Sequence, residues 1–201
     1  MSLQLIISTL ISYFVGGIPV GFIIGKLKGI DVRKIGTFNI GATNVFHTVG
    51  RFSGIITGTL DMLKPIVTMA VFSHLNSVPD YTIPFLGTST VCGNLWSPFL
   101  KWRGGRGLSS SIGYFLYVMP RVVPFIFITF FLAMFFTKWN MPVGGLSLYI
   151  VDPIIAEKIY HYPHFIIMAT FYLGLFVLLR QIPWIVIHLI RYYRRKQYGE
   201  G

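Results

Sequence analysis

Residues 3–25 read LQLIISTLISYFVGGIPVGFIIG, a stretch without a single charge, and four cations follow it at Lys26, Lys28, Arg33 and Lys34. About 20 consecutive apolar residues are what a helix needs to cross the hydrocarbon core of a bilayer. No basic residue precedes Leu3. A secretory leader begins with positive charge and ends on a small-residue cleavage site. The stretch therefore reads as a retained first helix, running roughly from Leu3 to Gly25, with its N-terminus outside. Gly17, Gly21 and Gly25 recur at every fourth position, so one face of this helix is small enough for another backbone to approach closely.

The rest of the chain has the same character. Of 201 residues, 54% are hydrophobic and only 11% charged, and the mean hydropathy is +0.68. Soluble domains carry about a quarter charged residues, so lipid is the solvent implied here. Further apolar stretches run from about Gly54 to Leu75, Ile83 to Leu100, Leu108 to Met119, Val122 to Phe136, Val143 to Ile155 and Phe165 to Leu179. The expected fold is an all-α polytopic bundle of about seven transmembrane helices. It forms a single integral-membrane domain over 1–201, with functional loops at 26–52 and 101–107 and a basic interfacial tail at 183–201.

The net charge of +11 is distributed unevenly. With seven crossings and an outside N-terminus, the loops and tail on the inner side hold Lys26, Lys28, Arg33, Lys34, Arg51, Lys101, Arg103, Arg106, Lys138, Arg191, Arg194, Arg195 and Lys196. The outer segments hold Arg121 and Lys158 with the acids Asp80, Asp152 and Glu157. That split follows the positive-inside rule. It places the C-terminus and both glycine-bearing loops on the cytoplasmic side of the cell membrane. Basicity of this kind is topological and lipid-directed, and no nucleic-acid partner is implied. The single cysteine, Cys92, excludes an intrachain disulfide and a cysteine-built metal cluster. No pair of the five histidines has metal-ligand spacing, and neither a metal nor a cofactor is expected.

Chemistry concentrates in the two loops. The first, DVRKIGTFNIGATNVFHTVGR at residues 31–51, sets Thr37, Asn39, Thr43 and Asn44 among Gly36 and Gly41, with Arg33 and Lys34 ahead of them and His47 behind. Glycines let backbone N–H groups turn toward an anion, while hydroxyls and amides add neutral donors. The second, KWRGGRG at residues 101–107, runs into Ser109, Ser110 and Ser111. Its cations and glycines lead into the positive end of a helix, which is a phosphate cradle without the spacing of a Walker motif. The bland alternatives are an ordinary capped turn for the first loop and a charge-rule loop reaching lipid phosphates for the second. Asp61 and Lys64 lie three apart inside the second span. They share a helix face, as a structural pair or as functional groups facing a cavity.

These segments resemble the bacterial membrane acylphosphate:glycerol-3-phosphate acyltransferase family. GTFNIGATN at 36–44 is similar to its GSGNxGATN. Asp61, Leu63 and Lys64 match its DxLKG, with Pro65 in place of the glycine. GNLWSPFLKWRGGRG at 93–107 aligns without gaps to its GHxFPxFLxFKGGKG. Asn94 stands at the family's histidine and Phe38 at a glycine. The family's third motif, near RHxxNIxRL, is not recognisable, because Gln181 follows Arg180 and Trp184 takes the asparagine position. The resemblance implies a seven-helix bundle with a cytoplasmic active site. Its catalytic set is Arg33, Thr37, Asn39 and Asn94. Its substrate- and phosphate-binding set is Gly41, Thr43, Asn44, Asp61, Lys64, Lys101, Arg103, Gly104, Gly105, Arg106, Gly107 and Ser110.

The implied reaction moves a fatty acyl group from acylphosphate to the 1-hydroxyl of glycerol 3-phosphate, giving lysophosphatidic acid for phospholipid synthesis. The implied partners are those two substrates and membrane phospholipids. Two other readings stand beside it. A lapsed relative would bind glycerol phosphate or phospholipid without transfer, and a small organic-phosphate transporter would use Asp61 and Lys64 within their span.

Overall fold

The computed structural model describes residues 3–75, 78–136, 145 and 148–198, with side chains as far as Ile182. Nine α-helices lie among the described residues. They are α1 (Leu3–Gly17), α2 (Val20–Leu27), α3 (Ala42–Thr48), α4 (Arg51–His74), α5 (Ile83–Leu95), α6 (Leu108–Val118), α7 (Val123–Phe136), α8 (Val151–Lys158) and α9 (His164–Tyr198). No strand occurs among them. By length and composition, three helices can cross a membrane: Leu3–Leu27 taken as one, Arg51–His74 and His164–Ile182. A fourth is reached if α6 and α7, bent by 117° at Pro120, count together. The expectation of about seven crossings thus rests on the shorter helices α5 to α8. Lys138 and residues 143–144 lie outside the described residues, and so do the side chains of the basic tail.

The apolar first stretch is not one continuous helix. Pro19 has no N–H to donate and breaks it into α1 and α2. The glycine stripe spans that break. Here the small residues admit loop rather than helix, for a Cβ at Gly21 or Gly25 would strike the carbonyl of Ile40 or the Val32 side chain, and one at Gly17 would lie 2.6 Å from Pro98. The loop at 26–52 also contains a helix, α3, that the apolar pattern does not show.

Helix α5 lies at the centre, against α1, α4, α6 and α9. At 1.5 Å per residue it is about 20 Å long, and single 3₁₀ turns at Asp80–Thr82 and Pro98–Leu100 flank it. Its buried Leu86, Val91 and Leu95 join Met69 of α4, Tyr114 and Phe115 of α6 and Leu173 of α9 in the main core. Lipid tails are as apolar as leucine, so burial drives helix association weakly here, and close backbone packing and interhelical hydrogen bonds carry it instead. A Cβ on Gly16 would overlap the Thr90 backbone, one on Gly93 the Tyr13 carbonyl, and one on Gly113 the Met62 carbonyl. Hydroxyls stitch the same interfaces, from Ser89 to the Thr9 carbonyl at 3.0 Å and from Thr88 to the Ala169 carbonyl at 3.3 Å. Each such bond is worth about 0.6 kcal/mol on average in a membrane, so many are needed and no single one holds the bundle. The outward faces are apolar: Ile55, Leu63, Val67 and Val71 form such a row on α4, and Phe171, Leu175 and Leu179 do so on α9.

Candidate active site

Helix α2 ends in a turn in which the Ile30 N–H reaches back to the Gly25 carbonyl at 2.9 Å, with Gly29 at φ +73°. This closure satisfies the last carbonyls of the helix and sends the chain back across its end. Asn44 organises the segment beyond that turn. Its Oδ1 accepts from the Thr37 N–H at 2.8 Å, and its Nδ2 donates to the carbonyls of Val32 (2.8 Å), Asn39 (2.7 Å) and Ile35 (3.2 Å). Asn44 is buried with its amide fully engaged, which makes it the scaffold of the loop. Gly36 lies at φ +60°, and a Cβ there would run into the Asn44 amide; both demands select glycine. Thr37 and Thr43 are exposed, and the Asn39 amide packs over Gly41.

Arg33 is exposed and already engaged. Its Nε and Nη2 donate to Asp31 at 2.9 and 2.8 Å, and its guanidinium stacks 4.4 Å from the centre of the Phe22 ring. These bonds hold the Asp31 carboxyl well below the usual carboxylate range. The structure thus places Arg33 at the rim of the loop in an ion pair.

The second loop is wound tightly. Lys101 and Trp102 take left-handed conformations at φ 52° and 64°, and the Trp102 N–H donates to the Ser97 carbonyl at 2.9 Å. The chain then runs against the C-terminal end of α5, where the Gly105 N–H donates to the Asn94 carbonyl at 2.8 Å. A Cβ at Gly104 would lie 2.6 Å from the Leu95 carbonyl oxygen, and one at Gly107, at φ +79°, would lie 2.7 Å from the Leu95 side chain. Gly107 caps α6, whose first turn offers the N–H groups of Leu108 to Ser110. The Ser111 N–H closes on the Gly107 carbonyl at 2.8 Å. Ser110 is buried with its hydroxyl unpartnered, and Ser111 accepts a bond from the Tyr149 hydroxyl at 2.6 Å. Lys101 and Arg103 are exposed, whereas Arg106 is half-buried. Burial pushes the Arg106 guanidinium below its ordinary pKa, and the neighbouring Arg180 adds to the shift.

Arg180 is the residue that sequence reasoning missed. From α9 it donates through Nε to the Leu95 carbonyl and through Nη2 to the Gly104 carbonyl, each at 3.1 Å. It clamps the glycine loop onto α5. The signal that could have found it is a lone arginine inside an otherwise apolar crossing, where such a residue faces protein.

Helix α3 of the first loop and the first turn of α6 meet at Gly58 of α4. A Cβ built there would lie 3.2 Å from Ala42 of the GATN segment and 3.8 Å from the Ser109 hydroxyl, just beyond the glycine loop. Between α3, α4 and the start of α6 opens a cavity of about 480 Å³, and no residue of the 101–107 loop lines it. Thr43, His47, Thr59 and Ser109 supply its polar atoms, and Phe46, Met62 and Ile112 its apolar wall. Asp61 and Lys64 do not line it. They are buried and paired at 2.6 Å where α4 meets the break in the first span.

A family model described as glycerol-3-phosphate acyltransferase matches residues 6–190 of the chain. A glycerol-3-phosphate acyltransferase of Trichlorobacter lovleyi is 35% identical over 159 residues, covering 79% of this chain and 81% of that relative. One from Thermosipho melanesiensis is 43% identical over 121 residues, covering 59% and 58%. Among solved structures, PlsY, an integral membrane glycerol 3-phosphate acyltransferase in its glycerol 3-phosphate form, superposes with a TM-score of 0.80. The two are 26% identical, and the match covers 92% of each chain.

Proposed function

The chain belongs to the glycerol-3-phosphate acyltransferase family, and from that premise we propose that it transfers an acyl group from acylphosphate to glycerol 3-phosphate at the cleft between the GATN segment and the first turn of α6, with the glycine loop just ahead of that turn. The product is lysophosphatidic acid. The observation that supports this placement is the meeting of Ala42 and Ser109 across Gly58, which sets the GATN segment beside the helix start that follows the glycine loop.

Within this proposal each residue has a part. Arg103, Arg106 and the N–H groups of the first turn of α6 grip a phosphate, with the helix dipole adding to their charge. Lys101 raises the local potential. The hydroxyls of Thr43 and Ser109 orient the polar end of the substrates, with Thr37, Asn39 and Gly41 presenting donors along the loop. The apolar wall of Phe46, Met62 and Ile112 takes the acyl chain, which enters from the lipid side beside exposed Ile55.

Chemically, the 1-hydroxyl oxygen of glycerol 3-phosphate attacks the acyl carbonyl carbon. The carbon–oxygen bond to phosphate breaks, and a phosphate oxygen of the donor takes the hydroxyl proton. Phosphate is a good leaving group, so the protein has to position the reactants and balance charge. Positioning alone can supply about 7–11 kcal/mol, and one well-aimed oxyanion donor about 3–4 kcal/mol. The basic loops put this cleft on the cytoplasmic side by the charge rule.

The test is turnover of purified protein in proteoliposomes with labelled glycerol 3-phosphate and acylphosphate. The parent forms lysophosphatidic acid, and Arg103→Ala/Arg106→Ala loses it while keeping its folded helix content. Undiminished turnover in that variant refutes the site. Substrate binding by the parent without product would mark a lapsed relative, consistent with Gln181 and Trp184 in place of the family's third motif.

A further inference from the structure

The side chain of Lys64 is 8% exposed, in the middle of α4. Its ammonium group has three protons to give, and each has an acceptor: Asp61 Oδ1 at 2.6 Å, the Gly16 carbonyl at 3.3 Å, and the Ile18 carbonyl. Both carbonyls belong to the break between α1 and α2. There the N–H of Val20, which would have served Gly16 in a continuous helix, turns to Ile18 instead. Ser97, at the other end of the same sequence block as the glycine loop, donates to the third carbonyl of the break, Gly17, at 2.6 Å. Asp61 in turn receives the side-chain amide of Asn94. Asn94 is itself buried, its main-chain carbonyl holds the Gly105 N–H at 2.8 Å, and its Oδ1 lies 3.0 Å from where a Gly105 Cβ would stand.

These contacts form one unbroken chain from the helix break to the glycine loop. A lysine with every donor spent has none left for a phosphate, and its carboxylate partner is buried between Lys64 and Asn94. We propose that Lys64, Asp61 and Asn94 are positioning residues, a buried relay that sets the height of the Gly104–Gly105 peptide against the break in the first span without touching substrate. Pro65 lies directly after Lys64 and denies the Asp61 carbonyl its usual helical donor, so the relay occupies a turn of α4 already loosened for it. The proposal rests on the reading of residues 103–107 as the phosphate loop.

A direct role and a positioning role separate by kinetics on the full chain in liposomes. Arg106→Ala first identifies which phosphate-bearing substrate the loop holds, by the KM that it raises. Lys64→Met and Asn94→Leu should raise that same KM, by up to about 100-fold, on the order of what a 1 Å misplacement can cost in rate. Lys64→Arg should restore most of the loss. Asp61→Asn/Lys64→Met should be milder than Lys64→Met alone, because the single change strands a buried carboxylate and the double one relieves it.

Four outcomes overturn the proposal. If Lys64→Met and Asn94→Leu lower the melting temperature but leave KM alone, the relay is structural only. If the double variant is as impaired as Lys64→Met or worse, Lys64 meets the substrate. If Arg106→Ala moves neither KM, the phosphate reading fails and the relay falls with it, whereas a raised KM in Arg106→Ala with none in Asn94→Leu sinks the relay alone.

Discussion

Replacing Arg180 with methionine keeps the stem that packs along α9 and removes the fork that ties the glycine loop to α5. Two charge-assisted bonds at 3.1 Å are lost. Such bonds are worth about 1.5–3 kcal/mol each where water is excluded. Arg180 is half-buried, which discounts them, and ~2 kcal/mol for the two together is a sound working figure. At about 1.4 kcal/mol per factor of ten, kcat/KM for glycerol 3-phosphate should fall roughly 30-fold. Arg180→Lys separates geometry from charge. The cation beside Arg106 remains, but an ammonium cannot fork across two carbonyls as a guanidinium does, so the loss should be about half as large in free energy, roughly fivefold. Initial rates of lysophosphatidic acid formation in proteoliposomes, with both substrates varied, supply the numbers. Arg180→Met within about twofold of the parent would mean that the loop keeps its shape unaided, and the clamp would have no functional weight.

Gly107→Ala forces a left-handed alanine, at about 1–2 kcal/mol, and sets its Cβ 2.7 Å from Leu95; melting in detergent should drop and KM should rise together, and an unchanged melt would contradict the tight fit. Met62→Ala enlarges the apolar wall of the cavity, so a panel of acyl donors should show the preferred chain lengthening, and an identical profile would put the acyl chain elsewhere. Asp31→Asn tests pH. The Asp31 carboxyl is held below its ordinary value, so the stability of its pair with Arg33 is fully present above the unfolded carboxylate value of about 3.9 and is lost only as pH falls further. The activity ratio of Asp31→Asn to parent should therefore be flat from about pH 6 to 9, and a ratio that bends in that range would mean that another titrating group depends on Asp31.

The class of the protein was legible in residues 3–25, because a charge-free stretch of that length has one solvent that suits it. The two glycine-bearing segments were legible too, through the resemblance and the charge count, and the structure brings Ala42 of GATN and Ser109, two residues beyond the glycine loop, to Gly58. The corner at Pro120 could be read from the proline and arginine that interrupt the apolar pattern. What could not be read is which polar groups are already spent. Lys64 and Asp61 look like an intramembrane functional pair until the carbonyls of a break 46 and 48 residues away come to meet the ammonium. Asn44 looks like a ligand until three carbonyls converge on its amide. Arg33 has its partner two residues before it, yet an i, i+2 pair is visible only once the turn is known. Composition states what a residue can donate, and only the fold states to whom.

The cavity beside α4 has exposed, apolar Ile55 on its lining, with Thr43, His47 and Thr59 exposed around it. On the proposed function, a long-chain donor arriving past Ile55 would travel within the leaflet and the lipid product would leave the same way, so neither would have to cross water. The concentration that governs such encounters is a mole fraction in the bilayer plane. Diluting the membrane with inert lipid at constant volume should therefore slow the enzyme, while the response to glycerol 3-phosphate stays tied to the aqueous phase. One catalyst here reads two solvents at once.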